Sequence, residues 1–207
     1  MHRHKPSSTS TYGSAGRRTP TQEAAAVALA DHTIDAIDHN YTVVAYTDGA
    51  SQGNPGPSGA GAIITYPKWG AQASMHTEEL SAGLGTGTNN LGELWAVGMV
   101  LEDVASKVRL GYEPPPDGTI LTDSAYVRGC LVGGWDAKGV NAPLVQALLA
   151  ALASSPISWT IEWVPGHAGV AGNEAADRAA TRGAASSAAG RVLPDLPDRI
   201  ATSRFKP

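Results

Sequence analysis

Two β-rich runs, "TVVAYT" (42–47) and "GAGAIITY" (59–66), are joined by a connection dense in glycine and proline, "DGASQGNPGPS". A glycine-dense loop after a short apolar strand has two readings. It can cradle a phosphate with its backbone N–H groups. It can also be a hairpin turn whose only chemically active residue is the aspartate at its start, Asp48. No "GK[ST]" follows the glycines, which disfavours a nucleoside-triphosphate site. The rest of the chain has to decide between the two.

Further along, residues 71–83 read as a third strand. The segment "NNLGELWAVGMVLEDVAS" places Leu91, Leu94, Val97, Leu101 and Val104 at three- and four-residue steps, the signature of one buried helix face. "EPPPDG" breaks the chain before the short strand "TILT" (119–122), and a helix is expected from Ser124. "PLVQALLAALASS" reads as an amphipathic helix with Pro143 in its first turn. In "SWTIEWV", Trp159, Ile161 and Trp163 alternate with Thr160 and Glu162, as in a half-buried strand. A last helix is expected from about Gly172 to Ala185. The order β-β-β-α-β-α-α-β-α specifies an α/β domain with a mixed sheet and helices on its faces.

At 207 residues the chain suits one domain with appendages. We divide it into a basic, disordered N-terminal tail (1–38), a catalytic domain (39–187) and a proline-containing C-terminal tail (188–207). Within the first segment, 21–38 is rich in Ala and suits a short helix. The net charge of −4 argues against general polyanion affinity, so any nucleic-acid contact must come from a local patch. A single cysteine, Cys130, excludes an internal disulfide and a cysteine-built zinc site, and reads as a small buried hydrophobe. No apolar run approaches the ~20 residues of a membrane span, and the basic N-terminus lacks the apolar stretch of a secretion signal. A cytoplasmic monomer with no membrane partner is expected.

The acidic residues carry the chemistry. Asp48 ends the first strand, Glu93 lies near the start of the first long helix, and Asp123 ends the fourth strand. Asp177 sits on the last helix, ten residues after His167 in "GHAGVAGNEAAD". Each has an ordinary alternative as a turn, cap or solvated residue. Together they can meet, because neighbouring central strands bring Asp48 and Asp123 side by side while packed helices aim Glu93 and Asp177 at the same place. Four carboxylates in one place repel one another and persist only when divalent cations neutralise them. Hard oxygen ligands without cysteine favour Mg²⁺ or Mn²⁺. Two such ions roughly 4 Å apart are a standard device for in-line phosphoryl displacement.

"YTDGASQGNPGPSGAGAII", "TNNLGEL", "LTDSAYV" and "VPGHAGVAGNEAAD" resemble, in order and spacing, the four motif blocks of type 1 ribonuclease H. The resemblance runs from about Tyr41 to Ala185. It implies a ribonuclease H-like five-stranded mixed sheet of order 3-2-1-4-5, with the first three strands antiparallel. It also implies endonucleolytic hydrolysis of the RNA strand of RNA/DNA hybrids by a two-metal-ion mechanism (two Mg²⁺, with Mn²⁺ as a substitute), leaving 3′-hydroxyl and 5′-phosphate ends. By the same resemblance Asp48 bridges both ions, Glu93 and Asp123 hold the ion beside the leaving group, and Asp177 completes the ion that activates water. His167, in the glycine-flanked "PGHAG", assists proton transfer or product release. Asn54, Thr88, Asn89 and Asn90 match positions beside the nucleic-acid backbone, and Gly49 leaves room for the RNA to approach.

The chain departs from many relatives between the fourth-strand motif and the next long helix. There "YVRGCLVGGWDAKGVNAPLVQ" is short and holds only Arg128 and Lys138 as cations, so the usual basic protrusion is absent or trimmed. Trp135 is either the residue of the family's DNA-side channel or a plain core tryptophan. Fewer cationic contacts imply weaker, less salt-dependent hybrid binding. Two other readings remain open: the ribonuclease H portion of a reverse-transcriptase-like element, or a non-catalytic hybrid-binding module on the same fold. The complete set of carboxylates and the histidine weigh against the second.

Overall fold

The computed structural model describes residues 19–68 and 74–192. The glycine-proline loop is a hairpin connection. The strands it joins, β1 (Thr42–Ser51) and β2 (Gly56–Tyr66), are antiparallel, with Asp48 opposite Gly61 and Gly49 opposite Ala60. The first strand therefore runs three residues past Asp48 before turning. A third strand, β3 (His76–Gly87), pairs antiparallel along the whole of β2, from Tyr66↔His76 to Gly56↔Gly87. It starts and ends later than the sequence pattern suggested, because the ladder to β2 and not side-chain alternation sets its ends; residues 71–73 of the expected strand lie outside the described residues. On the other side of β1, β4 (Asp117–Thr122) and then β5 (Ser158–Trp163) pair in parallel. The sheet order is β3-β2-β1-β4-β5, the expected mixed sheet.

Five helices accompany the described sheet: α1 (Pro20–Asp35), α2 (Asn89–Arg109), α3 (Ala125–Leu131), α4 (Asn141–Ser154) and α5 (Ala171–Ala188). Three start where a side chain caps them. Thr88 accepts the Leu91 N–H ahead of α2, and Ser124 accepts the Val127 N–H ahead of α3. Pro143 lies in the first turn of α4, where its missing N–H costs nothing. The helix within 21–38 begins one residue earlier than its pattern suggested. Its cap is a reciprocal pair, Thr19 with Gln22, followed by Pro20. Residues 1–18 and 193–207, which hold most of the two expected tails, lie outside the described residues.

Strand alternation sends side chains to two layers. From β1, Val43 and Ala45 join the main core with the buried faces of α2 and α4, including Leu94, Val97, Val104, Leu144 and Leu148. Cys130 is 3% exposed in this core, as a small hydrophobe should be. The intervening residues, Val44 and Tyr46, face the opposite side. There they pack with Leu121, Val164 and Val170 under Ala30, Ile34 and Ile37. The helix α1 thus covers part of the rear face of the sheet. Among the described residues no helix is long and apolar enough to cross a membrane.

The other half of that rear face belongs to α5, and "GAGA" explains how closely it sits. Ala60 and Ala62 face the main core, while Gly59 and Gly61 meet the α5 backbone directly. A Cβ on Gly61 would run into the backbone of Ala176, Ala179 and Ala180. The helix answers with small buried residues of its own: Ala176, Ala179, Ala180, Gly183 and Ala184. This contact sets the height of α5 above the sheet, and with it the place of Asp177. We expect Gly61→Ala to lower the unfolding free energy by about 1–3 kcal/mol, the usual cost of overpacking a rigid contact. Urea denaturation checks this, with a shifted midpoint at an unchanged slope.

Candidate active site

The register of β1 on β4 does the first part of the assembly. Thr47 pairs with Thr122 in parallel, so the next residues, Asp48 and Asp123, leave the same end of the sheet as neighbours. The second part is done by a glycine. Gly49 faces α2, and a Cβ there would collide with the backbone of Asn89, Gly92 and Glu93. Gly92 in turn lies against the Gly59 carbonyl and Gly49. Because both residues lack side chains, the first turns of α2 rest directly on β1, which brings Glu93 alongside Asp48. The glycine expected to admit an RNA backbone is thus already filled by α2.

One carboxylate oxygen from each of Asp48, Glu93 and Asp123 lies within 4.8 Å of the others. Asp48 and Glu93 are 6% and 4% exposed, so two carboxyl groups sit out of water beside a third. Burial first, and then the field of Asp123, pushes the Asp48 carboxyl up to about 7, with Asp177 adding to the rise. The Gly49 N–H, donating to Asp48 Oδ1 at 2.7 Å, pulls the other way. Glu93 is raised well above the ordinary carboxylate range by burial and by Asp48 and Asp123. Asn89 Nδ2 donates to Glu93 Oε1 at 3.2 Å, while Glu93 Oε2 is buried with no hydrogen-bond partner. Asp123 is raised by burial, with the amide of Asn173 and the nearby His167 opposing the shift.

Asp177, half-buried on α5, lies outside the tight group of three but close enough to raise Asp48 and Asp123. His167 is exposed, on the loop between β5 and α5, with φ of 53°. That left-handed conformation is uncommon for a residue with a side chain. Glu174 steadies the loop by accepting the Gly169 N–H at 3.1 Å. Asn54 is exposed in the hairpin turn, and its Oδ1 faces the Asn89 N–H at 3.4 Å, a weak tie between the turn and the start of α2. Thr88 is the cap of α2, and Asn90 is exposed in its first turn. Trp135 is not a core residue. It is 44% exposed, its backbone N–H donates to the Gly129 carbonyl at 2.9 Å, and its ring fills the space where a side chain on Gly129 would go.

The sequence pattern missed Asn173. It is 2% exposed, and its Nδ2 donates to Asp123 Oδ2 at 3.2 Å. The available signal was its position four residues before Asp177, on the same helix face.

Buried carboxylates facing one another, one oxygen among them unpartnered, suit a divalent cation and little else. With the mixed sheet, this arrangement defines a metal-dependent phosphoryl-transfer type of enzyme. The family model described as RNase H matches residues 40–185. Ribonuclease H from Jannaschia sp. is 37% identical over 161 residues, covering 72% of this chain and 95% of the relative. That from Cupriavidus metallidurans is 40% identical over 156 residues, covering 70% and 96%. Among solved structures, the N-terminal RNase H domain of a Mycobacterium tuberculosis protein, fused to maltose binding protein, superposes with a TM-score of 0.54. It is 32% identical, and the match covers 72% of this chain and 98% of that one. The chain belongs to the ribonuclease H family.

The raised Asp48 has a consequence for stability in the absence of metal. Its folded-state value of about 7 exceeds the ordinary 3.8, so between those values the folded chain holds more protons than the unfolded one. Stability then falls as pH rises through this window. Asp48 alone should make the metal-free protein about 2–3 kcal/mol more stable at pH 5 than at pH 8. Asp48→Asn should flatten this dependence and be the more stable form at pH 8. Denaturant unfolding in EDTA at both pH values tests this, and equal pH slopes in the two proteins would refute it.

Proposed function

We propose that this protein is an endoribonuclease that hydrolyses the RNA strand of RNA/DNA hybrids, with Asp48, Glu93, Asp123 and Asp177 as the ligands of two Mg²⁺ ions. The observation that carries the reading is the trio of carboxylates within 4.8 Å, two of them buried. When bound, such ions supply a nucleophilic water near neutral pH and neutralise charge on the phosphoryl oxygens. Mn²⁺, with the same preference for oxygen ligands, is a plausible replacement. The water oxygen bonds to phosphorus as the bond from phosphorus to the 3′ oxygen breaks, giving 3′-hydroxyl and 5′-phosphate ends.

The chain's own residues orient the substrate and move protons. Asn54, at the hairpin turn, and Thr88, Asn89 and Asn90, at the start of α2, offer neutral polar groups to the nucleic-acid backbone. Such groups fix register on a duplex without high charge. Wide-groove 2′-hydroxyls give them a means to tell an RNA strand from DNA. His167, exposed on its loop, assists by taking the proton that the attacking water gives up, or by helping the product leave. Trp135, exposed beyond α3, lies against the DNA strand. The working form is a cytoplasmic monomer, with residues 39–187 as the catalytic unit.

A binding module without catalysis fits less well. Three mutually repelling acids, two of them buried, lower stability, and a domain that only bound hybrids would gain by replacing them.

A labelled RNA/DNA hybrid incubated with Mg²⁺ or Mn²⁺ provides the direct test. The native chain should cut the RNA strand only, leaving 3′-hydroxyl ends. Asp48→Asn should lose at least about 10³-fold in rate, and His167→Ala about 10²-fold in kcat with KM little changed. An intact hybrid with both metals would end the enzyme reading, and full activity in Asp48→Asn would end the site assignment.

A further inference from the structure

We infer that Asn173 is a positioning residue for the reaction: it acts through Asp123, fixing how that carboxylate is presented to the cations. The inference rests on the proposed role of the acidic cluster as a cation site. Asp123 is the one member of the trio outside a strand or helix, lying between Thr122, the last residue of β4, and Ser124, the cap of α3. Left to itself, such a side chain would swing between rotamers. Two contacts prevent this. On one side stands the loop between β5 and α5, where Asp123 Oδ2 occupies the space that a side chain on Gly166 would take. On the other is Asn173, whose Nδ2 donates to that same oxygen at 3.2 Å. With Oδ2 held between them, the rotation of the carboxylate is set, and its remaining lone pairs face the cluster with Asp48 and Glu93.

A purely structural role accounts poorly for Asn173. The residue is 2% exposed on an otherwise alanine-rich face of α5, next to Ala176, and its Oδ1 is buried with no hydrogen-bond partner. An unpartnered buried carbonyl costs about 1–3 kcal/mol, roughly what one hydrogen bond to a charged group returns. Alanine in its place would pack among its neighbours, favour the helix and remove the orphan. For stability alone Asn173 is close to neutral, so its value lies in orienting Asp123. The same turn of α5 also anchors the other flank of the loop, through Glu174 and the Gly169 N–H. The start of α5 therefore positions a metal-binding carboxylate and the histidine loop together, while Asp177 joins the site one turn later.

The test reads cation binding without relying on activity. Mn²⁺-induced stabilisation is measured as the rise in Tm of the full chain across a Mn²⁺ titration, for the native protein, Asn173→Ala, Asp123→Ala and the double variant. Asn173→Ala should keep a metal-free Tm close to native and require about tenfold more Mn²⁺ for the same rise, as loss of a ligand-orienting partner does. In the Asp123→Ala background, adding Asn173→Ala should change nothing further, because the residue it positions is gone. Asn173→Ser, too short to reach Asp123, should behave like Asn173→Ala. An unchanged Mn²⁺ requirement in Asn173→Ala overturns the inference. So does an equal loss in both backgrounds, which would mean that Asn173 acts independently of Asp123. A native chain that Mn²⁺ does not stabilise at all would instead overturn the cation-site reading, and this inference with it.

Discussion

The contact that the site depends on most is the one between the backbone of α2 and Gly49 of β1. Helices normally stand about 10 Å from a sheet, held off by side chains. Here a glycine on the strand and Gly92 on the helix let the two backbones touch. That proximity sets Glu93 beside Asp48, although one comes from a helix on the front of the sheet and the other belongs to the rear-facing set of β1 with Val44 and Tyr46. On the rear face, Gly59 and Gly61 play the same part for α5 and set where Asp177 stands. Strand register brings Asp123 to Asp48, and Glu93 and Asp177 join them because the strands beneath α2 and α5 lack side chains at the crossing points.

The convergence opposes folding. The carboxyls of Asp48 and Glu93 are raised by burial and by Asp123, and Glu93 by Asp48 as well, so the metal-free protein holds a strained acidic cluster in place. A cluster of this kind is tolerated because the surrounding packing determines it: the main core under α2 and α4, and the alanine-glycine contact under α5. The free energy held there becomes useful when a cation arrives, since relief of repulsion adds to the attraction of the ligands. The same economy explains the orphaned Glu93 Oε2, an acceptor left open on the side where an ion is expected.

Much of this was legible in the sequence, and the exceptions share a cause. Strand order was implied by the resemblance of four short motifs to a known family, while the meeting of the acids could be read from their places at element ends, where local chemistry and tertiary position coincide. Asp48 stands inside β1, because a ladder extends wherever a partner is available, and β2 is available as far as Ser58. The start of β3 was misjudged because an edge strand alternates weakly. At Gly49 the structure shows the start of α2 in the space a side chain would take, since a sequence shows that a glycine is required but not what fills the space. Asn173 was overlooked because its one important contact is with a residue fifty positions earlier. Only the fold shows that an uncharged residue beside a charged one is part of the site.

The trimmed connection between α3 and α4 bears on how a hybrid would be held. Lys138 is exposed there, and the nearest other cation, Arg128, faces Glu162 at 3.9 Å and is partly neutralised. Val132, Trp135 and Val140 are the exposed apolar groups of the segment. Under the proposed function, this surface cannot grip phosphates by counterion release as a lysine-rich protrusion does. It can offer an aromatic face and backbone groups, whose contributions vary little with salt. Recognition then falls on the neutral groups around Asn54 and the start of α2, and on the cations themselves, the strongest positive charges the site would contain. On that account affinity for the substrate and occupancy by metal are not separate properties of this enzyme: an unfilled cluster would repel the phosphate that a filled one attracts.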